Sequence, residues 1–186
     1  MAIDAPGWDD AAPRFAIKQV LRATSPGPMT EQDDNHRLQS VEIDDASLAA
    51  ASRDQEQERQ IAIFDLLESN RFAPQGSDGG PYDLKMGLAE NRLVLDVKGP
   101  GYERRHMLSL SPFRALIKDY FMICESYYQA IRSSTPQQIE TLDMGRRALH
   151  NEASEVLRTR LSGKVETDMD TARRLFTLIC ALHWRG

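Results

Sequence analysis

The chain is poor in every residue that builds a covalent or metallic staple. Its 186 residues include 2 cysteines and 4 histidines. Cys124 and Cys180 each sit in an apolar helical pattern, where a free thiol behaves as a small hydrophobe. No C-x-x-C pair accompanies them. A disulfide-stapled secreted domain and a zinc ribbon are therefore excluded, and both thiols are expected to be inert core residues of a reducing, cytoplasmic compartment. Long apolar runs are also lacking. The longest, Leu175 to Trp184, is about half of the ~20 residues that span a bilayer. The opening residues carry Asp4, Asp9 and Asp10 and no apolar stretch, so they do not read as a secretory signal. No membrane partner is expected.

Lysine is scarce, with 5 lysines against 18 arginines. Arginine's planar fork suits bidentate carboxylate or phosphate contacts, although a GC-rich genome gives the same bias through its codons. The net charge is −5 and is unevenly spread. Residues 1–70 hold 6 basic against 14 acidic residues, and residues 71–186 hold 17 against 14. The arginine pairs 104/105, 146/147 and 173/174 invite a nucleic-acid patch, but a pI near 5.4 argues against a strong electrostatic footprint. Nucleic acid is not an expected partner. Catalytic signatures are missing as well: the chain has no H-E-x-x-H, no G-x-S-x-G and no phosphate-binding P-loop. No cofactor and no metal site are expected.

What is present reads as an α+β domain over 36–186. Residues 1–35 differ from the rest, with Pro6, Pro13, Pro26 and Pro28 in an Ala- and Asp-rich stretch that packs poorly. They read as a disordered or mis-annotated extension, with Met29 as the initiator. Arg14 to Arg22 is the one piece of it with the pattern of a short amphipathic helix. Val41 and Ile43 suggest a first strand at 38–43, and Ile61, Phe64 and Leu67 a helix at 54–69. Gly76 to Pro81 is a turn that feeds a strand; an anion nest is the less favoured reading. Alternation then gives three strands, through Tyr82–Leu88, Leu93–Val97 and His106–Leu110, with loops short enough for hairpins.

The C-terminal half is expected to be all helical. Ser111-Pro112 reads as a helix start, followed by an apolar stripe from Phe113 to Ile131, with Met122 alone on the opposite face. Thr135-Pro136 with Gln138 opens a helix over 136–162 that Gly163 ends. Asp170 reads as the cap of a buried last helix, and the terminal Trp184 and Arg185 are expected to lie against the fold. The expected architecture is a small antiparallel sheet of three or four strands packed by three to four helices.

Polar chemistry concentrates at Asp143-Met-Gly-Arg-Arg-Ala-Leu-His150. At about 100° per residue, Asp143, Arg146, Arg147, His150 and Ser154 share one arc of the long helix, overlapping its apolar stripe at Arg146. Three readings compete. In the first, Arg146 and His150 are half-buried scaffold, satisfied by Asp143, Asp168 or backbone carbonyls. In the second, Arg146, Arg147 and His150 form an anion site for phosphate or carboxylate. In the third, His150 is a general base, although no nucleophile motif accompanies it. His183 is expected to be a hydrogen-bonded buried histidine, with a cleft shared with His150 as the rival. Gly145 costs about 1 kcal/mol inside a helix, which suggests close packing there.

The stretches Asp78-Gly-Gly-Pro-Tyr82, Ser109-Leu-Ser-Pro-Phe-Arg114 and Lys118-Asp-Tyr-Phe-Met-Ile-Cys124 resemble a bacterial family, uncharacterised protein family 0262. Asp143-Met-Gly-Arg-Arg147, Leu149-His-Asn-Glu152, Asp170-Thr-Ala-Arg-Arg-Leu-Phe176 and Leu182-His-Trp-Arg-Gly186 extend the resemblance over about 36–186. It implies a start near Met29 and carries no catalytic or binding residue with it. The expected function is that of a soluble, non-enzymatic interaction or regulatory protein, acting with a protein partner or by self-association. The alternative is an enzyme or sensor that binds a small anion through Arg146, Arg147 and His150.

Overall fold

The computed structural model describes residues 35–48 and 53–183. Strand β1 (Leu38–Ile43) leads through a 3-10 turn to helix α1 (Arg53–Glu68) and the short strand β2 (Phe72–Pro74). Strands β3 (Tyr82–Ala89), β4 (Arg92–Gly99) and β5 (Tyr102–Ser109) follow. Helices α2 (Phe113–Ser133) and α3 (Pro136–Leu161), strand β6 (Val165–Thr167) and helix α4 (Met169–His183) complete the chain. The expectations placed on residues 1–34 and on Trp184 and Arg185 fall outside the described residues.

The fold is α+β, and its main sheet runs β1-β3-β4-β5. Two-residue turns join the antiparallel neighbours. Glu90 (φ 47°) and Asn91 (φ 62°) are both left-handed between β3 and β4, the geometry a type I′ hairpin requires. A glutamate has no local stabilisation there, so Glu90→Asn is expected to raise stability by about 0.5–1 kcal/mol, read from urea unfolding. Pro100-Gly101 makes the second turn, with Gly101 at φ 64°.

One feature corrects the all-antiparallel expectation: β1 joins β3 in parallel. The reason is the connection. Helix α1 lies between the two strands, and a crossover of that kind brings the chain back in the same direction. The connection after α1 is also more ordered than a turn. Its residues Phe72–Pro74 pair antiparallel with Val165–Thr167, making a separate two-stranded ribbon.

One face of the sheet is apolar. Tyr82, Leu84 and Met86 of β3 and Leu93, Leu95 and Val97 of β4 are buried, as the alternation requires. They form a common core with Phe113, Ile117, Tyr120 and Cys124 of α2 and with α4. The burial of α4 is nearly complete. Thr177 and Ala181 are 4% and 1% exposed. By contrast, Phe64 on α1 and Ile131 near the end of α2, both part of the apolar patterns that place these helices, are exposed.

Helix ends follow their sequence signals only in part. Thr135 and Gln138 form the expected capping box with Pro136 in the first turn of α3, and Gly163 (φ 79°) follows its end. Ser111 does not cap α2: the helix begins after Pro112 without a side-chain cap, and the Ser111 hydroxyl meets Ser109 and Asn91 instead. At α4 the cap is Asp168, not Asp170; its carboxylate accepts from the Thr171 N–H at 2.7 Å. The last helix therefore starts two residues earlier than read, with Asp170 inside its first turn.

The short link between α2 and α3 makes them an antiparallel pair. Gly145 makes room for Ile123 of α2, since a Cβ there would lie 2.7 Å from the end of that side chain. Because Ile123 and Gly145 face each other across antiparallel helices, the residues just before each emerge on the same outer side. Those residues are Met122 and Met144, 56% and 65% exposed.

Candidate functional site

The polar residues of α3 do not share one surface. Arg146 and His150 are 0% exposed, while the Arg147 side chain is 56% exposed. Asp143 accounts for both arginines. One of its oxygens accepts from Arg146 Nη2 at 2.5 Å, and the other lies 2.6 Å from Arg147 Nη2. The Arg146 guanidinium also lies over the Tyr127 ring, 5.2 Å from its centroid. Burial opposes its charge, but Asp143 outweighs that and holds its pKa above the ordinary arginine value. A charged group placed this deep needs such a partner.

His150 is held from the last helix. Its Nε2 lies 3.0 Å from Thr177 Oγ1, and the same hydroxyl donates to the Arg173 carbonyl at 3.1 Å. That single hydroxyl proton is already committed, so Nε2 carries the imidazole proton and donates. Nδ1 is then a bare acceptor, and it is buried without a hydrogen-bond partner. The ring stands edge-on to Tyr120 and Phe176, with centroids 5.4 and 5.2 Å away. Burial, reinforced by the Arg173 and Arg146 charges, lowers its pKa from 6.5 to about 3. The imidazole is neutral at physiological pH. Arg146 and His150 offer a dissolved anion no exposed surface. The pairing of His150 with His183 falls on a side chain outside the described residues.

A second group of polar residues lies at the other end of the sheet. Tyr82 is fully buried, its ring fitted against Gly80 and Gly99; a Cβ at either would lie within 3 Å of that ring. Its hydroxyl meets His36 Nδ1 at 3.0 Å and Ser77 Oγ at 2.8 Å. Within the glycine-rich loop the Gly79 N–H donates to Ser77 Oγ, so that amide serves the turn. Next to Tyr82 stands Tyr102, whose hydroxyl is 3.1 Å from His106 Nε2, with Arg104 over its ring at 5.6 Å. Burial, with Lys164 and Arg104 nearby, keeps His106 below the ordinary histidine range.

Sequence reasoning noted Arg104 as half of an arginine pair and His106 as a strand residue. It did not join them to Tyr102, although period-2 spacing puts all three on one side of β5. The chain's one Glu-x-x-His spacing, Glu103 to His106, sits on this strand and points its two ends to opposite faces. The arginine pairs go to separate partners: Arg105 to Asp96, Arg146 and Arg147 to Asp143, and Arg174 to the Ser69 carbonyl.

The solvent face of the sheet is a ladder of alternating charge. Across one row run Glu42, Lys85, Asp96 and Arg105, and across the next Asp83, Lys98 and Glu103. Arg105 meets Asp96 through two hydrogen bonds of 2.6 and 2.8 Å, and Lys98 meets Glu103 at 2.8 Å. Lys85 sits between Glu42 and Asp44. Among the described residues, no three His, Cys, Asp or Glu side chains are grouped so as to hold a metal ion. Nor is any helix among them long and apolar enough to cross a membrane.

Comparison with known proteins gives a family. A family model described as an uncharacterised protein family, UPF0262, matches residues 35–185. A UPF0262 protein of Phenylobacterium zucineum is 83% identical over 151 residues, covering 81% of this chain and 95% of that protein. One from Caulobacter vibrioides is 69% identical over 157 residues, covering 84% and 99%. One from Azorhizobium caulinodans is 59% identical over 162 residues, covering 85% and 100%. No solved structure matches. With matches this long and this similar, the chain belongs to the UPF0262 family.

Proposed function

We propose that this protein works in the cytoplasm by binding another protein chain, as an interaction or regulatory component without catalytic chemistry of its own. The observation that carries this reading is the pair of exposed methionines on the outer side of the α2–α3 hairpin, Met122 and Met144. Methionine is flexible and polarisable, and adaptable binding surfaces use it heavily. Exposed apolar side chains mark such surfaces when they are grouped rather than scattered, and Met122 and Met144 emerge on the same side of the hairpin. The strongest concentration of chemistry in the sequence supports the same reading, because Arg146 and His150 are committed to partners inside the fold. Two buried thiols, both free, suit a reducing compartment.

Native mass spectrometry of protein purified gently from its own host, with and without Met122→Glu and Met144→Glu, tests the reading. The wild type is expected to carry a bound protein or to form a defined homo-oligomer. Either glutamate is expected to disperse that complex while leaving the melting temperature within about 2 °C, as befits a surface change. A wild-type protein that is monomeric and unaccompanied, or a complex indifferent to both glutamates, refutes the reading.

A further inference from the structure

Among the described residues the main sheet ends at β5, an eight-residue strand with no strand on its far side. Its hairpin fixes which main-chain groups that edge presents. In a two-residue hairpin the residues flanking the turn, here Gly99 and Tyr102, form a hydrogen-bonded pair, and such pairs alternate along the ladder. Tyr102, Arg104, His106 and Leu108 therefore direct their N–H and C=O groups at β4. Those of Glu103, Arg105 and Met107 point away from the sheet. All three residues are exposed, as is Arg104 between them.

Charge along this edge has one sign where it is unmatched. Glu103 is held by Lys98 and Arg105 by Asp96, so the solvent face is neutralised across the ladder. Arg104 has no carboxylate within ion-pair distance among the described residues, its one close partner being the Tyr102 ring. Lys164 is in the same position, and it acts on His106 together with Arg104. We infer that the free edge of β5 is a docking site for an acidic, extended peptide segment of a partner protein, which adds to the sheet as a further strand beside Arg104 and Lys164. Strand addition draws its affinity from main-chain hydrogen bonds and its selectivity from the side chains beside them.

The same residues argue against a second copy at this edge. A two-fold axis through Arg104 would set that guanidinium against its own copy, and like charges placed directly opposite are destabilising. Positive charge on an edge strand is also a usual guard against uncontrolled pairing. Here Arg104 repels a copy of itself and favours a carboxylate. This inference concerns a different surface from Met122 and Met144 and stands independently of them.

The probe is a labelled peptide as long as β5, alternating glutamate with valine, added to the full chain and followed by fluorescence anisotropy. Three companions accompany it: a version with lysine for glutamate, a version with alternate amides N-methylated, and the Arg104→Glu protein. The glutamate peptide is expected to bind with a Kd below about 1 mM. Its lysine and N-methylated versions are expected to bind at least about tenfold more weakly. Arg104→Glu should reverse the preference between glutamate and lysine, a gain that a misfolded variant does not show. Amide exchange should slow at Glu103, Arg105 and Met107, and Met122→Glu should leave binding unchanged. No binding of the glutamate peptide at about 1 mM overturns the inference. So does equal binding of the N-methylated peptide, which reduces the contact to charge alone, or protection confined to other strands.

Discussion

Asp143→Ala is expected to cost about 3–5 kcal/mol of folding free energy, the range for removing one partner of a buried ion pair. The loss comes less from the missing contact than from what is left behind. Arg146 is wholly enclosed, and Asp143→Ala takes away its close counter-ion in a medium that solvates charge poorly. Arg146→Met, which removes the charge and keeps much of the volume, should therefore be far milder than Asp143→Ala. Combining the two should restore most of the stability lost in Asp143→Ala alone. Arg147→Ala serves as the control. Its guanidinium reaches the same carboxylate from the surface, where an ion pair contributes at most about 1 kcal/mol. Urea unfolding of the four variants measures all of this. A loss under 1 kcal/mol for Asp143→Ala contradicts the expectation.

The second large effect is a loss of stability in mild acid. The unfolded chain protonates His150 near pH 6.5, whereas in the folded chain the imidazole stays neutral down to about 3. Between those values the unfolded state binds the extra proton, so stability is complete above pH 6.5 and falls as the pH is lowered. At about 1.4 kcal/mol per pH unit, His150 accounts for a loss of about 2 kcal/mol between pH 7.5 and 5. Most carboxylates titrate below that interval, which keeps the histidine visible. His106 is shifted in the same direction and adds a smaller slope of the same sign. His150→Gln should flatten most of the dependence and His106→Gln the remainder. If the unfolding free energy of His150→Gln falls with pH as steeply as that of the wild type, the histidine is not its source.

Local signals in the sequence locate most elements but not their relations. The capping box at Thr135 and Gln138, the stop at Gly163 and the alternation in β3 and β4 depend on neighbours a few residues away, and they read directly. The parallel partnership of β1 with β3 depends on what α1 does between them. Strands β2 and β6, three residues each, have too little pattern of their own; only their pairing across the molecule makes them strands.

The candidate site divides the same way. Asp143 lies three residues before Arg146 and four before Arg147, so their pairing is a helix-spacing argument. His150 takes its partner from Thr177, 27 residues on, and no spacing rule reaches that far. The cationic edge was legible residue by residue in Tyr102, Arg104 and His106. That β5 is the last strand is a property of the sheet order, which a single strand's sequence does not carry.

Some contacts join parts of the chain about a hundred residues apart. The Arg71 amide donates to the Thr171 hydroxyl, 100 residues away, and Arg174 reaches back to the Ser69 carbonyl. Helix α4, made after the other described elements, fills the middle of the core. The interior cannot close before α4 has been made. Until α4 arrives, α1, the inner sheet face and the α2–α3 pair have a cleft between them where a helix belongs. Such wide loop closures slow folding, and half-made interiors of this kind are where chaperones engage and where chains stick to one another. A ribosome stalled before Asp168 would thus hold an apolar, open-sided intermediate, and its lifetime would be set by translation of α4.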